Sequence, residues 1–281
     1  VSKQLHSRNH DRDAVGMRYV YPVISRRAGG VSIGINLNPN NACNWHCAYC
    51  QVPDLTRGVA PEIDLQLLRS ELSALLDDML NGDFMVQRVA EDSRQLCDIA
   101  ISGNGEPTSC RAFDSVVEVI LTVMAEFALS VPLRLISNGS YLHKADVQRG
   151  LTLMAAKHGE VWIKVDAVSS EAILRINGIK LDASRLRKQV EAVASLCPTW
   201  IQTCLMAWDD QPPAETEMQS YIAFLAQLQR DEIPVCGVLL YGLARPSLQD
   251  EAKHLKPLDA GWMKMVAARI EASGLKVKLS L

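Results

Sequence analysis

Residues 31–50 read VSIGINLNPNNACNWHCAYC. The first seven form a strand pattern. Val31, Ile33, Ile35 and Leu37 share one face and Ser32 and Asn36 the other, because strand side chains alternate with period two. The strand runs into a loop carrying Cys43, Cys47 and Cys50, a C-x3-C-x2-C triplet. Ligand-type residues just past the C-terminal end of a strand are where α/β barrels build their sites.

Working outward, short apolar runs alternate with amphipathic stretches. Strands are expected at Asp98–Ser102, Leu133–Ser137, Val161–Ala167, Trp200–Met206 and Pro234–Leu240, with a short one at Leu275–Leu279. Helices are expected at Asp64–Met79, with Asp64 as cap, and at Ser115–Phe127, Ala145–Lys157, Ala183–Leu196, Ala214–Arg230 and Gly261–Ser273. Such alternation indicates βαβ units and a parallel sheet. The absence of a repeated nucleotide-binding half favours a barrel or partial barrel over a doubly wound open sheet. Asn81–Leu96 reads as an inserted surface segment.

The strands carry a second pattern. One face is apolar, while the other holds Ser32 and Asn36, then Asp98 and Ser102, then Trp162, Lys164 and Asp166, then Gln202 and Cys204. A parallel strand covered on both faces is normally apolar throughout. A closed eight-stranded barrel fills its lumen with apolar layers. Polar inner faces therefore predict a partly open barrel around a substrate cavity.

Composition sets limits. The chain has 281 residues, 48% hydrophobic and 22% charged, with a net charge of -3. Disordered and fibrous classes are excluded, and the charge argues against a protein that coats nucleic-acid backbone. The polar start, VSKQLHSRNHDRD, has no apolar h-region, and no run of 18 apolar residues offers a membrane span. Eight cysteines, three of them within eight residues, read as thiolate ligands in a cytoplasmic protein rather than as disulfides.

Three clustered thiolates suit zinc or an iron–sulfur cluster. Zinc needs a fourth ligand, and His46 is the nearest candidate, but no second cysteine knuckle follows. A [4Fe–4S] cluster on three thiolates leaves one iron open to a ligand. With Tyr49 as the aromatic before its last cysteine, the triplet resembles the signature of the radical S-adenosylmethionine (SAM) enzymes. The resemblance implies an α/β fold, a partial (βα)6 barrel over 21–245, preceded by an N-terminal extension (1–20). A C-terminal helix and strand (246–281) would pack on it. It implies a [4Fe–4S] cluster on Cys43, Cys47 and Cys50, with SAM on the open iron. Reduction would cleave SAM to methionine and a 5′-deoxyadenosyl radical that abstracts hydrogen from substrate. Gly105-Glu106, with Asn104 before them, match the family's motif for the SAM amino group. Ser137 and Asn138 match its carboxylate or ribose contacts, and Tyr241 lies near the adenine. A reductant protein such as flavodoxin or ferredoxin would supply the electron.

A finer resemblance rests on Ser25-Arg26-Arg27, Ser32-Ile-Gly34-Ile-Asn36, Gly105-Glu-Pro-Thr108 and Arg175-Ile-Asn177. These are similar to the branch containing the wyosine-synthesising tRNA enzymes and bacterial relatives. Wyosine synthases are expected to hold a second cluster on upstream cysteines, whereas this chain has no cysteine before Cys43. A glycyl-radical activase and a non-catalytic iron–sulfur or zinc protein are the other readings. The substrate stays open among small molecule, peptide and RNA base. Lys164 and Asp166 are candidate substrate groups, either as an ion pair or with Lys164 as a Schiff-base amine. Cys110, next to the Gly-Glu-Pro motif, is a candidate hydrogen donor. Cys97, Cys197, Cys204 and Cys236 read as small buried hydrophobes, with Cys204 turned toward the cavity.

Overall fold

Among the described residues, eight strands form the main sheet, and each lies beside the preceding strand of that sheet. The computed structural model describes residues 4–5, 15–25 and 29–281, so Arg26 and Arg27 lie outside the described residues. The strands are β1 (Val20–Ser25), β2 (Gly30–Ile35), β3 (Leu96–Ile101) and β4 (Leu133–Ser137). β5 (Glu160–Lys164), β6 (Thr199–Leu205), β7 (Val235–Gly242) and β8 (Val277–Ser280) complete the sheet. β1 runs antiparallel to β2, and every later pair is parallel. Helices α1 (Leu65–Leu80), α2 (Phe113–Glu126) and α3 (Ala145–Ala155) follow β2, β3 and β4. α4 (Ser170–Asn177) and α5 (Ala183–Ala194) follow β5, α6 (Glu215–Arg230) follows β6, and α7 (Ala260–Glu271) follows β7. The sheet curls into a half-barrel, because side chains from β1 through β7 line one cavity. This is the partial (βα)6 barrel expected from the alternation.

The apolar strand faces pack outward against the helices. Ile33, Ile99, Leu135, Ile163, Ile201 and Val238 are fully buried in one cluster with helix residues such as Leu72, Val116 and Leu225. Local signals fix the helix starts. The Asp64 carboxylate accepts from the N–H groups of Gln66 and Leu67, and Asp182 and Asp259 cap α5 and α7 in the same way.

Some elements were not read from the sequence. β1 (VYPVIS) contains Pro22, which an edge strand tolerates because its free side needs no N–H donor. The eight-residue α4 was missed too, although Ser169 caps it and Gly178 ends it in the left-handed conformation. The inserted segment holds a short helix, Phe84–Arg88, and one 3-10 turn, Glu91–Ser93.

The polar strand faces divide between two tasks. Ser32, Asp98, Ser102, Trp162, Lys164, Gln202 and Cys204 do face the cavity, as the alternation requires. Asn36 and Asp166 instead turn into the loops above the strands. At the N-terminal end of the strands, a charged network forms a floor. Arg134 pairs with Asp98 and, at 2.6 Å, with Glu160. Ser32 donates to Asp98, and Glu160 accepts from the indoles of Trp162 at 3.0 Å and Trp200 at 3.1 Å. The Arg134 guanidinium also lies 4.9 Å from the centre of the Trp162 ring.

Removing one partner of a buried ion pair leaves an uncompensated charge, which costs about 3–5 kcal/mol. Arg134→Met is therefore expected to lower stability by several kcal/mol in urea denaturation. The double change Arg134→Met with Asp98→Asn should recover part of that loss. A loss below about 1 kcal/mol for the single variant would show that the floor network carries no net load.

Candidate active site

The three cysteines lie on the loop between β2 and α1, above the C-terminal end of the sheet. All three are free thiols and all line the same cavity of about 290 Å³. Cys43 Sγ accepts the Trp45 N–H at 3.4 Å, and Cys47 Sγ accepts from the Asn177 amide at 3.4 Å. Burial pushes the Cys43 thiol up to about 11 and the Cys47 thiol up to about 12. Among the described residues, no three His, Cys, Asp or Glu side chains gather closely enough to hold a single metal ion. Three thiols lining one cavity could hold a [4Fe–4S] cluster, in which each thiolate binds its own iron. N–H groups aimed at the sulfurs suit ligation as well, since such contacts stabilise thiolate charge.

The loop after β3 meets the cysteine loop at van der Waals limits. A Cβ on Gly105 would sit 2.0 Å from the Ala42 carbonyl oxygen, and one on Gly103 would sit 2.2 Å from Asn36 Oδ1. Asn36 Oδ1 accepts from the N–H groups of Asn38 and Asn104, both at 3.0 Å. The two glycines thus let the β3 loop dock beneath Ala42, one residue before Cys43. Gly105 packs against that backbone and also lines the cavity.

Docking delivers Glu106 to the cavity. Its Oε1 accepts from the Thr108 N–H at 3.1 Å, the Thr108 hydroxyl and the Ser137 hydroxyl at 2.7 Å. Oε2 accepts one hydrogen bond, from the Asn138 N–H at 2.7 Å. A carboxylate oxygen has two acceptor sites, so Oε2 keeps one for a ligand. Burial raises the Glu106 carboxyl, opposed by the hydrogen bonds from Asn138, Thr108 and Ser137. Ser137 does not line the cavity and holds Glu106. Asn138 does line it, and its amide donates to Asn44 Oδ1 at 2.9 Å while its Oδ1 accepts the Ser140 N–H.

Asp166 is buried and does not line the cavity. Its Oδ2 accepts from the Tyr49 hydroxyl at 2.5 Å and the Asn177 amide at 2.8 Å, and its Oδ1 from the Cys204 N–H at 2.9 Å. Lys164 does line the cavity, and its Nζ donates to Tyr49 Oη at 2.7 Å. Burial alone would pull the Lys164 ammonium down, but Tyr241, Asp166, Cys47 and Cys204 outweigh it and hold it above the usual lysine range. Lys164 and Asp166 therefore meet through Tyr49 rather than as a direct pair. Tyr241 lines the cavity beside Cys204.

Cys110 is fully buried, does not line the cavity, and its thiol donates to the Arg111 carbonyl at 3.0 Å. The 3-10 turn Pro107–Ser109 turns it away from Glu106. Cys197 and Cys204 are buried, whereas Cys97 and Cys236 are half-buried. Asn44 and Asn38 were not picked out from the sequence. Asn44 flanks a cysteine ligand position, which was the available signal. Asn38 Nδ2 donates to the Ala42 carbonyl at 2.9 Å, a link that only the fold reveals.

No family model matches this chain. GTPase Obg of Brachyspira hyodysenteriae is 26% identical over 135 residues, which cover 47% of this chain and 17% of that protein. Among solved structures, the chain resembles Streptococcus suis SuiB bound to S-adenosylmethionine, with a TM-score of 0.55 and 11% identity, over 90% of this chain and 47% of that one. It also resembles a radical SAM methyltransferase from Sphaerobacter thermophilus, with a TM-score of 0.56 and 12% identity, over 89% of this chain and 66% of that one. At these identities the likeness is one of fold. The chain spans about half the length of SuiB and 17% of the Obg protein.

Gly105→Ala tests the docking of the two loops. Its Cβ would strike backbone, so a loss of about 1–3 kcal/mol is expected from overpacking. Gly242→Ala is the control, because the nearest atom to its Cβ is 3.9 Å away. Equal urea midpoints for the two variants would show that the loops are not in close contact.

Proposed function

We propose that this chain is a radical SAM enzyme whose cysteine triplet, Gly-Glu loop and polar lumen form one active site. One observation carries the reading: Cys43, Cys47, Cys50, Glu106 and Lys164 all line a single cavity at the C-terminal end of a half-barrel. When bound, a [4Fe–4S] cluster supplies one electron to SAM, which breaks to methionine and a 5′-deoxyadenosyl radical that takes hydrogen from substrate.

The chain's own residues do the rest. Cys43, Cys47 and Cys50 hold the cluster. Glu106 receives the SAM ammonium on the remaining acceptor site of Oε2, and Ser137, Thr108 and Asn138 keep that carboxylate aimed. Asn138 and Tyr241 shape the walls of the SAM site. Tyr49 acts through its hydroxyl, joining the cysteine loop to Asp166 and Lys164. Asp166 is a positioning residue, and Lys164 presents its ammonium to the substrate space. Cys110, sealed from the cavity, takes no part in this reading.

The fold likeness to SAM-binding enzymes supports the reading. Within it, Arg175-Ile-Asn177 is a motif shared with the wyosine-type branch, while the lack of a cysteine before Cys43 counts against wyosine synthesis itself. The partial match to a GTPase brings no GTP chemistry here. A phosphate-binding loop needs Gly-Lys before Ser or Thr, and the chain contains no Gly-Lys pair. A cytoplasmic setting and a flavodoxin- or ferredoxin-type reductant accompany the proposal. Among the described residues, no helix is long and apolar enough to cross a membrane.

Anaerobic reconstitution should load about four iron and four sulfide, and replacing Cys43, Cys47 and Cys50 together by Ala should abolish the iron–sulfur absorbance. Cluster absorbance retained in that variant would overturn the assignment. Glu106→Gln should keep its iron and bind SAM more weakly. The expected loss is about 1.5–3 kcal/mol, the range for hydrogen bonds to charged groups. Equal SAM affinity by equilibrium dialysis would make the Glu106 loop purely structural.

A further inference from the structure

Gln202 sits in the middle of β6 with a side chain that the protein leaves unanswered. The residue is 2% exposed and lines the cavity, yet its buried Oε1 has no hydrogen-bond partner. A buried carbonyl left unpaired has lost its water without gaining a protein donor, which destabilises the fold. Such a group in a folded protein asks for a reason, and a missing ligand is among the usual ones. The Lys164 ammonium on the adjoining strand does not answer it, because Nζ donates to Tyr49 Oη.

The position separates Gln202 from the SAM groups. Its Cα partners are Lys164 on β5 and Leu239 on β7. The Cys204–Tyr241 pair lies two residues nearer the cysteine loop, about 7 Å along the strands. Two residues the other way lie Trp162 and Trp200, paired across β5 and β6, with their indole N–H groups held by Glu160. Of these, Trp162 lines the cavity, as do Ile136 and Tyr21. Apolar and aromatic walls between convergent polar groups are the usual build of a small-molecule site.

We infer that Gln202 reads the substrate, and that the substrate carries into the lumen a planar group with a carbonyl beside an N–H, a ring lactam or an open carboxamide. The inference rests on the radical SAM reading only for calling that ligand a substrate. A carboxamide offers one acceptor and two donors side by side, and its complement is another amide-type edge. Oε1 is sealed from the lumen in the unliganded protein, and rotation of the terminal amide brings it onto the ligand N–H. The ligand carbonyl accepts from the Gln202 NH2 and from the Lys164 ammonium on the adjoining strand. The aromatic floor takes the planar face. Assignment of O and N on the Gln202 amide does not alter the match, since both ends are complemented.

The test uses the anaerobically reconstituted, SAM-saturated protein and three probes followed by ligand-observed NMR titration. These are 2-pyridone, its N-methyl analogue and benzamide. The wild type should bind 2-pyridone about fivefold tighter than N-methyl-2-pyridone, in line with one net hydrogen bond. Gln202→Met, similar in volume and without the amide, should bring that ratio to about one, with iron content and SAM affinity as in the wild type. Gln202→Glu, which keeps the acceptor but not the donors, should retain the preference for the N–H probe while binding benzamide less well than the wild type. Tighter binding of benzamide than of 2-pyridone would assign an open carboxamide, and the reverse a ring lactam. No preference in the wild type, or a preference that survives Gln202→Met, overturns the inference. So does a loss of SAM affinity in Gln202→Met, which would make Gln202 a SAM contact. A wild type that takes up neither iron nor SAM would overturn the radical SAM reading, while a Gln202-dependent preference in that protein would leave the amide site standing.

Discussion

A buried carboxylate must be satisfied in place, and the arrangement around Asp166 follows from that need. Its two oxygens gather the Tyr49 hydroxyl from the cysteine loop, the Asn177 amide from the end of α4 and the Cys204 N–H from β6. Each of these groups then reaches the site. Tyr49 accepts from Lys164, Asn177 also donates to Cys47, and Cys204 lines the lumen. A single charged residue just past β5 thus couples a helix end, a neighbouring strand and the loop above the sheet. Three donors on one carboxylate narrow the geometry far more than apolar packing would, because hydrogen bonds are directional.

Glu106 plays the corresponding part on the other side of the cavity, with one difference. Asp166 does not line the cavity, whereas Glu106 lines it and keeps an acceptor site on Oε2. Two buried carboxylates therefore take different places, one holding the loop and one facing the cavity. The close approach of Gly105 to Ala42 ties the two halves together, since a shift of the cysteine loop would carry the Glu106 loop with it.

The lumen grades from charge at the floor to ligand groups at the mouth. Arg134 bridges the two carboxylates of Asp98 and Glu160 at the lower end, and the tryptophans lie between them and the middle layer. Lys164 and Gln202 occupy that middle layer, below the loops that carry the cysteines and Glu106. In the proposed reading a substrate held there approaches SAM from beneath, shielded on the sheet side by the packed helices.

Much of this was legible in the sequence. Period-two alternation revealed which strand faces look inward, and Ser32, Asp98, Ser102, Lys164 and Gln202 do so. The cysteine spacing and the Gly-x-Gly-Glu stretch marked the loops, because side-chain spacing and backbone freedom are local properties. Tertiary structure decided what depends on contacts distant in sequence. It turned Asp166 away from the lumen, because Tyr49 and Asn177 supply donors from elsewhere in the chain. It sealed Cys110 behind a 3-10 turn, although its neighbour in the motif, Glu106, faces the cavity. It placed β1 on the sheet edge, where Pro22 is tolerated. It left the Gln202 amide unpaired, a fact no local pattern can carry, because having no partner is a property of the whole surrounding shell.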